Sequence, residues 1–397
     1  MRILGIETSC DETAAAVIEV HRQQFTVHSN IVASQIKIHA KTGGVVPEVA
    51  ARAHVEAILP TVKLAMQNAE CRMQNPGSDI DAIAVTAGPG LMTSLLVGVE
   101  VARTLSVLWK KPLIAVNHLA GHVYANWLNA NGRESQGEWS RILFPALALI
   151  VSGGHTELVL MKKHLDFKII GSTRDDAAGE AFDKVAKMLG LPYPGGPAVS
   201  ALAEKFCKVS SPSPESSPIK GEEQKGNSPP LVGGVRGGGI QFPRPMMNSN
   251  DFDFSFSGLK TSVLYYLRSA GFYAPSAAHK MPRYKLEEVC YEFQEAVVDV
   301  LVTKTIRAAK QYNVKTILLG GGVAANKRLR EQLGHAVKKE LPATSYSLPT
   351  LSYTGDNAAM IAAAGYFMAR SKQFTPWEKI DVDPNWELGK KMQSMVR

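Results

Sequence analysis

One pattern occurs twice in this chain and limits the folds open to it. Residues 2–8 read as a short apolar strand, the polar turn "SCDET" follows, and residues 14–20 read as a second strand. Far downstream, residues 146–151 read as an apolar strand, "SGGHT" as a turn, and residues 157–161 as another strand. Each strand–polar turn–strand unit opens one half of the chain, which points to an internally duplicated α/β architecture. Two such turns, facing each other across a cleft, can hold the phosphates of a nucleotide from both sides.

Length agrees with duplication. At 397 residues the chain exceeds the roughly 250–300 at which a single core stops growing. Two lobes are expected, 1–140 and 141–397, with the last helix packing back on the first lobe. Residues 208–240 fit neither lobe: 6 Ser, 5 Pro and 7 Gly fill more than half of them, the composition of a disordered surface insertion.

Between the repeats, residues 81–87 read as a strand running into "GPGLMTSLLVG" and an apolar helix to about residue 108. A short strand, 114–116, follows. In the second half, 175–191 reads as a helix stopped by Gly190. "YPGGPAVSALAEKF" starts another helix, and 286–312 reads as one long amphipathic helix. "KTILLGGGVAANKRLREQL" reads strand, glycine turn, helix, and Asp356 opens the apolar helix "NAAMIAAAGYFMAR".

Charge and targeting narrow the function classes. Lys and Arg number 44 against 36 Asp and Glu, a net +8 that suits a polyanionic partner such as nucleic acid. Four scattered cysteines with no C-x-x-C spacing suggest neither a disulfide framework nor a thiolate zinc site. No signal or transit peptide is read before the first strand, and no apolar run is read as reaching the ~18 residues of a membrane span. A reducing cytoplasm is the expected compartment.

Several segments carry candidate chemistry. In "VNHLAGHVY", His118 and His122 stand four apart, on one face of a helix, as metal ligands require. Leu119 occupies the place where a zinc protease has its general-base Glu. Asp356 is the best third ligand, and His39, His54 and His155 are weaker alternatives. Two His and one carboxylate leave open positions suited to iron or zinc. "VSGGHT" offers backbone N–H groups and the hydroxyls of Ser152 and Thr156 to phosphate oxygens, or makes a plain hairpin turn. "GGGVAAN" lets backbone pass close to a flat or charged ligand, yet it is neither a Walker A loop nor a dinucleotide fingerprint. Asp183, with Glu180 and Lys187 at i−3 and i+4, reads either as a ribose-binding carboxylate or as part of a solvated ion-paired face.

Taken together and in order, "GIETSCDETA", "KIHAKTGGVVPEVAARAHV", "TAGPGLMTSLLVG", "NHLAGH", "LIVSGGHTEL", "DDAAGEAFDKVAKMLGLPYPGGP", "FPRPM", "DFSFSGLKT", "GGGVAANKRLR" and "YTGDNAAMIA" resemble the full motif set of the TsaD family. The likeness runs from residue 1 to about 388, with only 208–240 outside it. It implies a duplicated two-lobe fold of the actin/Hsp70/sugar-kinase kind, with mixed sheets flanked by helices. The activity it implies is transfer of a threonylcarbamoyl group from threonylcarbamoyl-AMP to N6 of adenosine 37, in tRNAs reading codons that start with A.

By the same resemblance His118, His122 and Asp356 bind one divalent ion, Fe2+ or Zn2+. Ile150, Val151, Ser152, Gly153 and Gly154 contact the acyl-phosphate end of the substrate. Asp183 binds the ribose, Gly196 lines the same pocket, and Asn326 meets the adenine side. Asp11 and Glu12 match the acidic phosphate-turn residues and are the candidate catalytic acids. The bound nucleotide is threonylcarbamoyl-AMP, ATP or AMP, and the partners are the tRNA anticodon loop and helper proteins of the TsaB and TsaE type, with no membrane. Many members have two adjacent histidines where this chain has Asn117-His118; the ligand position is kept. The rival readings are a metallopeptidase, against which Leu119 argues, a small-molecule kinase of the same fold, and a non-enzymatic nucleotide-binding scaffold.

Overall fold

The computed structural model describes residues 1–128, 142–210, 239–273 and 281–393. The lobe boundary expected at 140/141 and most of the 208–240 insertion lie outside those residues. In the first half the elements run β1 (Arg2–Glu7), β2 (Glu12–His21), β3 (Gln24–Ser34), α1 (Ile36–His39), α2 (Pro47–Asn68), β4 (Ala82–Gly88), α3 (Met92–Trp109), β5 (Leu113–Asn117) and α4 (His118–Tyr124). The second half runs β6 (Ala146–Val151), β7 (Thr156–Met161), β8 (Phe167–Ser172), α5 (Ala178–Met188), α6 (Gly195–Ser210), α7 (Ser257–Ser269), α8 (Arg283–Gln311), β9 (Thr316–Gly320), α9 (Lys327–Glu340), β10 (Ser345–Ser347) and α10 (Ala358–Arg370).

The duplication is explicit in the sheets. One orders its strands β3-β2-β1-β4-β5 and the other β8-β7-β6-β9-β10. In each, the first two pairings are antiparallel and the last two parallel. This repeated order is that of the actin/Hsp70/sugar-kinase fold. The carboxyl ends of the inner strands β1, β4, β6 and β9 therefore open on loops, where ligands of open α/β sheets sit, while edge strand β5 runs directly into α4.

Strand alternation distributes the core into layers. Leu4, Ile6, Val17 and Val85 pack against α2 and α3 on the outer face of the first sheet. Ile3, Ala16, Ala84 and Ile114 face the other way and share a cluster with α4, α10 and the inner side chains Ala146, Ala148 and Ile150 of β6. Helices α5 to α9 cover the far face of the second sheet. Although α10 comes late in the chain, it packs across the strands of the first sheet.

Small residues permit that close packing. A methyl on Gly5 would collide with the carbonyl oxygen of Ala358, and one on Gly365 would lie 2.6 Å from Ala84 Cβ. Likewise a Cβ on Gly121 would stand 2.7 Å from Ile361 Cδ1, so α4 lies directly against α10.

Several elements escaped the sequence reading. Helix α2 continues through Pro60, a residue that ordinarily marks a helix end because it lacks an N–H. Strand β3 is half-exposed, so its apolar alternation is weak; β8, β10 and α7 were also not assigned. The expectation about membrane-length segments needs correcting as well: α3 has the length and mean hydropathy (1.3) of a span. It also carries an ion pair between Glu100 and Arg103, and Leu95, Val99 and Ala102 are buried in the outer layer of the first sheet.

Beyond α10, residues 380–393 strap the two halves together. Asp383 N–H donates to Ala87 O, and the Asn117 side chain donates to Trp386 O. Leu388 enters the central cluster, and Gly389 packs against the backbone of Phe167 in β8. Glu157 of β7 has one buried oxygen without a partner among the described residues. Burial and the neighbouring Glu387 raise its pKa to about 7.

Two outcomes follow from this packing. Gly5→Ala is expected to destabilise the protein by about 1–3 kcal/mol, read as a lower urea midpoint; an unchanged midpoint contradicts the close contact. Folding raises the Glu157 pKa above its usual 4.5, so its contribution is complete below that pH and is lost as pH climbs through about 7. Glu157→Gln should therefore flatten the fall in thermal stability over that window, and an unchanged profile refutes this.

Candidate functional site

His118 and His122 follow directly from β5. Asn117 caps α4 by accepting the N–H groups of Leu119 and Ala120 through its side-chain oxygen. That cap starts the helix at His118 and turns both imidazoles toward the second half of the chain. Asp356 arrives from the other side, just before Asn357 caps α10 by accepting the Met360 N–H. His118 Nε2 lies 3.5 Å and His122 Nε2 3.3 Å from Asp356 Oδ1.

These three residues offer ligand atoms that all lie within 4.8 Å of one another. Ligands about 2.0–2.1 Å from one tetrahedral ion stand about 3.3–3.4 Å apart, which the two nitrogen–oxygen separations match. His122 is fully buried, and neither of its ring nitrogens has a hydrogen-bond partner among the described residues. A buried imidazole with both nitrogens orphaned is costly, and an ion at Nε2 removes half of that cost. The site thus fits a metal by spacing, donor type and missing partners.

Electrostatics around the ligands points the same way. Burial opposes a charge on His118, but Asp356 and Glu7 outweigh it and hold its pKa up, to about 9. Burial pushes His122 down, and the two histidines together hold Asp356 well below the usual carboxylate range against its own burial. His155, in the turn after β6, is lowered to about 4 by burial and by its neighbours His118 and His122.

The other histidines considered as ligands have structural work. His39 bonds Gln35 Oε1 and accepts the Val46 N–H. His54 joins Thr13 Oγ1 to the Cys10 carbonyl. Leu119 is buried in the central cluster, so no general base stands beside the histidines at that position.

Next to the triad lies a cavity of about 810 Å3, within the range that takes a nucleotide-sized ligand. Asp11 and Glu12 line it from the first half; Gly153, Asp183, Gly196, Gly322 and Asn326 line it from the second. Gly355 also lines it, one residue before Asp356, so triad and cavity share a wall. A Cβ at Gly153, Gly196, Gly322 or Gly355 would meet nothing within 4 Å: their bareness leaves room for a ligand. Gly321 differs, with φ +90 and its Cα against the Val151 backbone, a turn that only glycine makes without strain.

Individual side chains sharpen the expectations. Asp183 does not form the solvated pair with Lys187; Glu180 pairs with Lys184 instead, at 2.8 Å. The Asp183 carboxylate accepts the N–H of Gly195 at 2.7 Å, which fixes it at the start of α6. Burial raises its pKa against the lowering effect of the Gly195 and Gly196 N–H groups. Asn326 caps α9 through Leu329 N–H and donates to Ser200 and Gln294, each at 2.9 Å. Its amide is thereby committed, and it shapes the wall rather than offering free donors. Ile150 and Val151 have fully buried side chains and are not among the lining residues; of the turn that follows them Gly153 lines the cavity, and Ser152 and Gly154 do not. There Ser152 N–H donates to His155 O, and Ser152 Oγ accepts the His155 N–H. Burial, then Asp356 and Asp11, push the Glu12 pKa far above the carboxylate range. In the metal-free chain Glu12 is a proton donor at neutral pH.

Two contributors were read in part or not at all. With Asp11 and Glu12, Glu7 reads from the sequence as a strand-end carboxylate that could hold a cation or orient a hydroxyl, or as a solvated turn acid; it is fully buried and lies 3.0 Å from His118 Nδ1. Tyr193 lines the cavity beside Asp11 and Asp183.

Comparison with known proteins gives three kinds of match. The family model described as TsaD, tRNA N6-adenosine threonylcarbamoyltransferase, matches residues 26–363. A tRNA N6-adenosine threonylcarbamoyltransferase of Listeria monocytogenes serotype 4b is 48% identical over 366 residues, 91% of this chain and 90% of the relative. The Bacillus subtilis protein of that name is 47% identical over 368 residues, 92% and 90% respectively. Among solved structures, a ROK hexokinase from Thermus thermophilus aligns at 15% identity with a TM-score of 0.40, covering 94% of this chain and 100% of its own; it is too distant to bear on the site.

The open space at Gly196 is directly testable. Gly196→Val should leave the thermal midpoint within a few degrees while weakening AMP binding at least about tenfold, measured by calorimetric titration. Undiminished binding would place the ligand elsewhere.

Proposed function

The chain belongs to the TsaD family of tRNA N6-adenosine threonylcarbamoyltransferases, and on that premise we propose that it transfers the threonylcarbamoyl group of threonylcarbamoyl-AMP to N6 of adenosine 37 in tRNAs reading codons that start with A, with release of AMP. One observation supports the reading most: the His118–His122–Asp356 triad and the glycine-walled cavity meet at Gly355–Asp356. An acyl-adenylate needs both, one for its carbonyl and one for its nucleotide.

His118, His122 and Asp356 would hold Fe2+ or Zn2+. When bound, that ion supplies Lewis acidity toward the carbonyl of the threonylcarbamoyl group. The chain's own groups do the rest. Backbone N–H groups of Gly153 and Gly154 would meet the phosphate and stabilise charge there, the Ser152 N–H being committed to His155 O. Asp183, pinned by the Gly195 N–H, takes the ribose hydroxyls, and bare Gly196 lets the sugar approach. Asn326 stiffens the wall on the adenine side through its three hydrogen bonds.

The target adenine, from an anticodon loop, is splayed out of its stack to reach the cavity, as loop bases can be. The +8 charge favours that polyanion. Asp11 is the group to take the proton from N6 as the new bond forms, and Glu12, held protonated, serves as a donor toward the departing phosphate. Helper proteins of the TsaB and TsaE type complete the cytoplasmic assembly.

The direct test digests tRNA to nucleosides and weighs them after reaction with threonylcarbamoyl-AMP and the helper proteins. Wild type should yield the threonylcarbamoyl adenosine at position 37, and His122→Ala should lower the yield at least about a hundredfold. Wild type that leaves adenosine 37 unmodified would sink the assignment.

A further inference from the structure

We propose that Glu7 is the positioning residue of the metal centre: it fixes the proton of His118 on Nδ1 and so presents Nε2 to the ion. The inference rests on the reading of His118, His122 and Asp356 as ligands. Glu7 ends β1, its side chain fully buried, with Oε2 3.0 Å from His118 Nδ1. The carboxylate is itself fixed on both oxygens. Ser9 N–H donates to Oε1, and Thr86 Oγ1 donates to Oε2 at 2.5 Å. With those donors in place Glu7 acts as acceptor, and His118 Nδ1 is left to donate.

Geometry then dictates the rest. An imidazole whose Nδ1 carries the proton has its free lone pair on Nε2, the atom 3.5 Å from Asp356 Oδ1. Carboxylate partners of this kind orient ligating histidines, and their loss typically costs about 10–100-fold in metal affinity. Ser9 Oγ, 3.2 Å from the same nitrogen, is a second but neutral partner. His122 has no equivalent: among the described residues no carboxylate or other hydrogen-bond partner meets its Nδ1, so the carboxylate orientation at this pair falls on His118 through Glu7. The residue also ties the site to the polar turn: Ser9 follows it by two positions and Asp11 by four, so the β1 end holds His118 and the cavity wall in one frame.

Zinc affinity, read by competition with a chelating dye on the purified full-length chain, tests this without any assay of activity. Glu7→Gln keeps the shape but places an amide N–H₂ against Ser9 N–H or His118 Nδ1. It should lower zinc affinity about 10–100-fold while one ion per chain still binds at saturation. Wild-type affinity in this variant overturns the proposal. Should the variant fail to fold, 15N spectra of the zinc-loaded wild type decide: a proton on His118 Nδ1 supports it, and zinc on Nδ1 overturns it. Failure of the underlying site looks different, because His118→Ala would then bind zinc as wild type does.

Discussion

Everything at the site depends on how closely α10 lies on the first sheet. Gly5 and Gly365 remove the side chains that would hold helix and sheet apart, and an alanine-rich face does the rest. Dense contact of this kind transmits position with little slack. It sets the start of α10, hence Asp356, relative to the end of β1, and through Gly121 it sets α4 and its histidines as well. A carboxylate from one end of the chain thus meets two imidazoles from the other at separations near 3.4 Å.

The second constraint is emptiness. Four glycines around the cavity have room for a side chain and carry none, while the polar groups beside them are already fixed: Asp183 by Gly195, Asn326 by Ser200 and Gln294. Fixed dipoles around a vacated volume favour charge that develops in the ligand, since little reorganisation is left to occur. The crowding of Asp11, Glu12 and Asp356 on one wall works in the opposite sense, and burial there keeps Glu12 neutral. The cavity is acidic on the side of the His118–His122–Asp356 triad and glycine-walled opposite it.

Much of this could be read in the residues themselves. The duplicated strand–turn–strand units gave the architecture because fully buried strands such as β1 and β6 stand out as short apolar runs bounded by polar turns. The histidine pair was legible because four-residue spacing on a helix is a local signal, and Asp356 because it stands at a helix start. What stayed hidden was non-local. Glu7 looks like any turn acid until β1 and α4 are brought together, and the commitment of Asn326 depends on Ser200 and Gln294 from two other helices. Helix α2 runs through Pro60 because its tertiary packing overrides a missing backbone bond.

The order in which the candidate ligands appear along the chain has a consequence for synthesis. His118 and His122 leave the ribosome just after the strands of the first sheet, whereas Asp356 and α10 come after the strands of both sheets. Until α10 docks, the nascent first lobe lacks both its inner helix and the carboxylate, so it offers only two imidazoles and an uncovered apolar sheet face. An ion held by all three residues could therefore be bound only after α10 has docked on the first sheet.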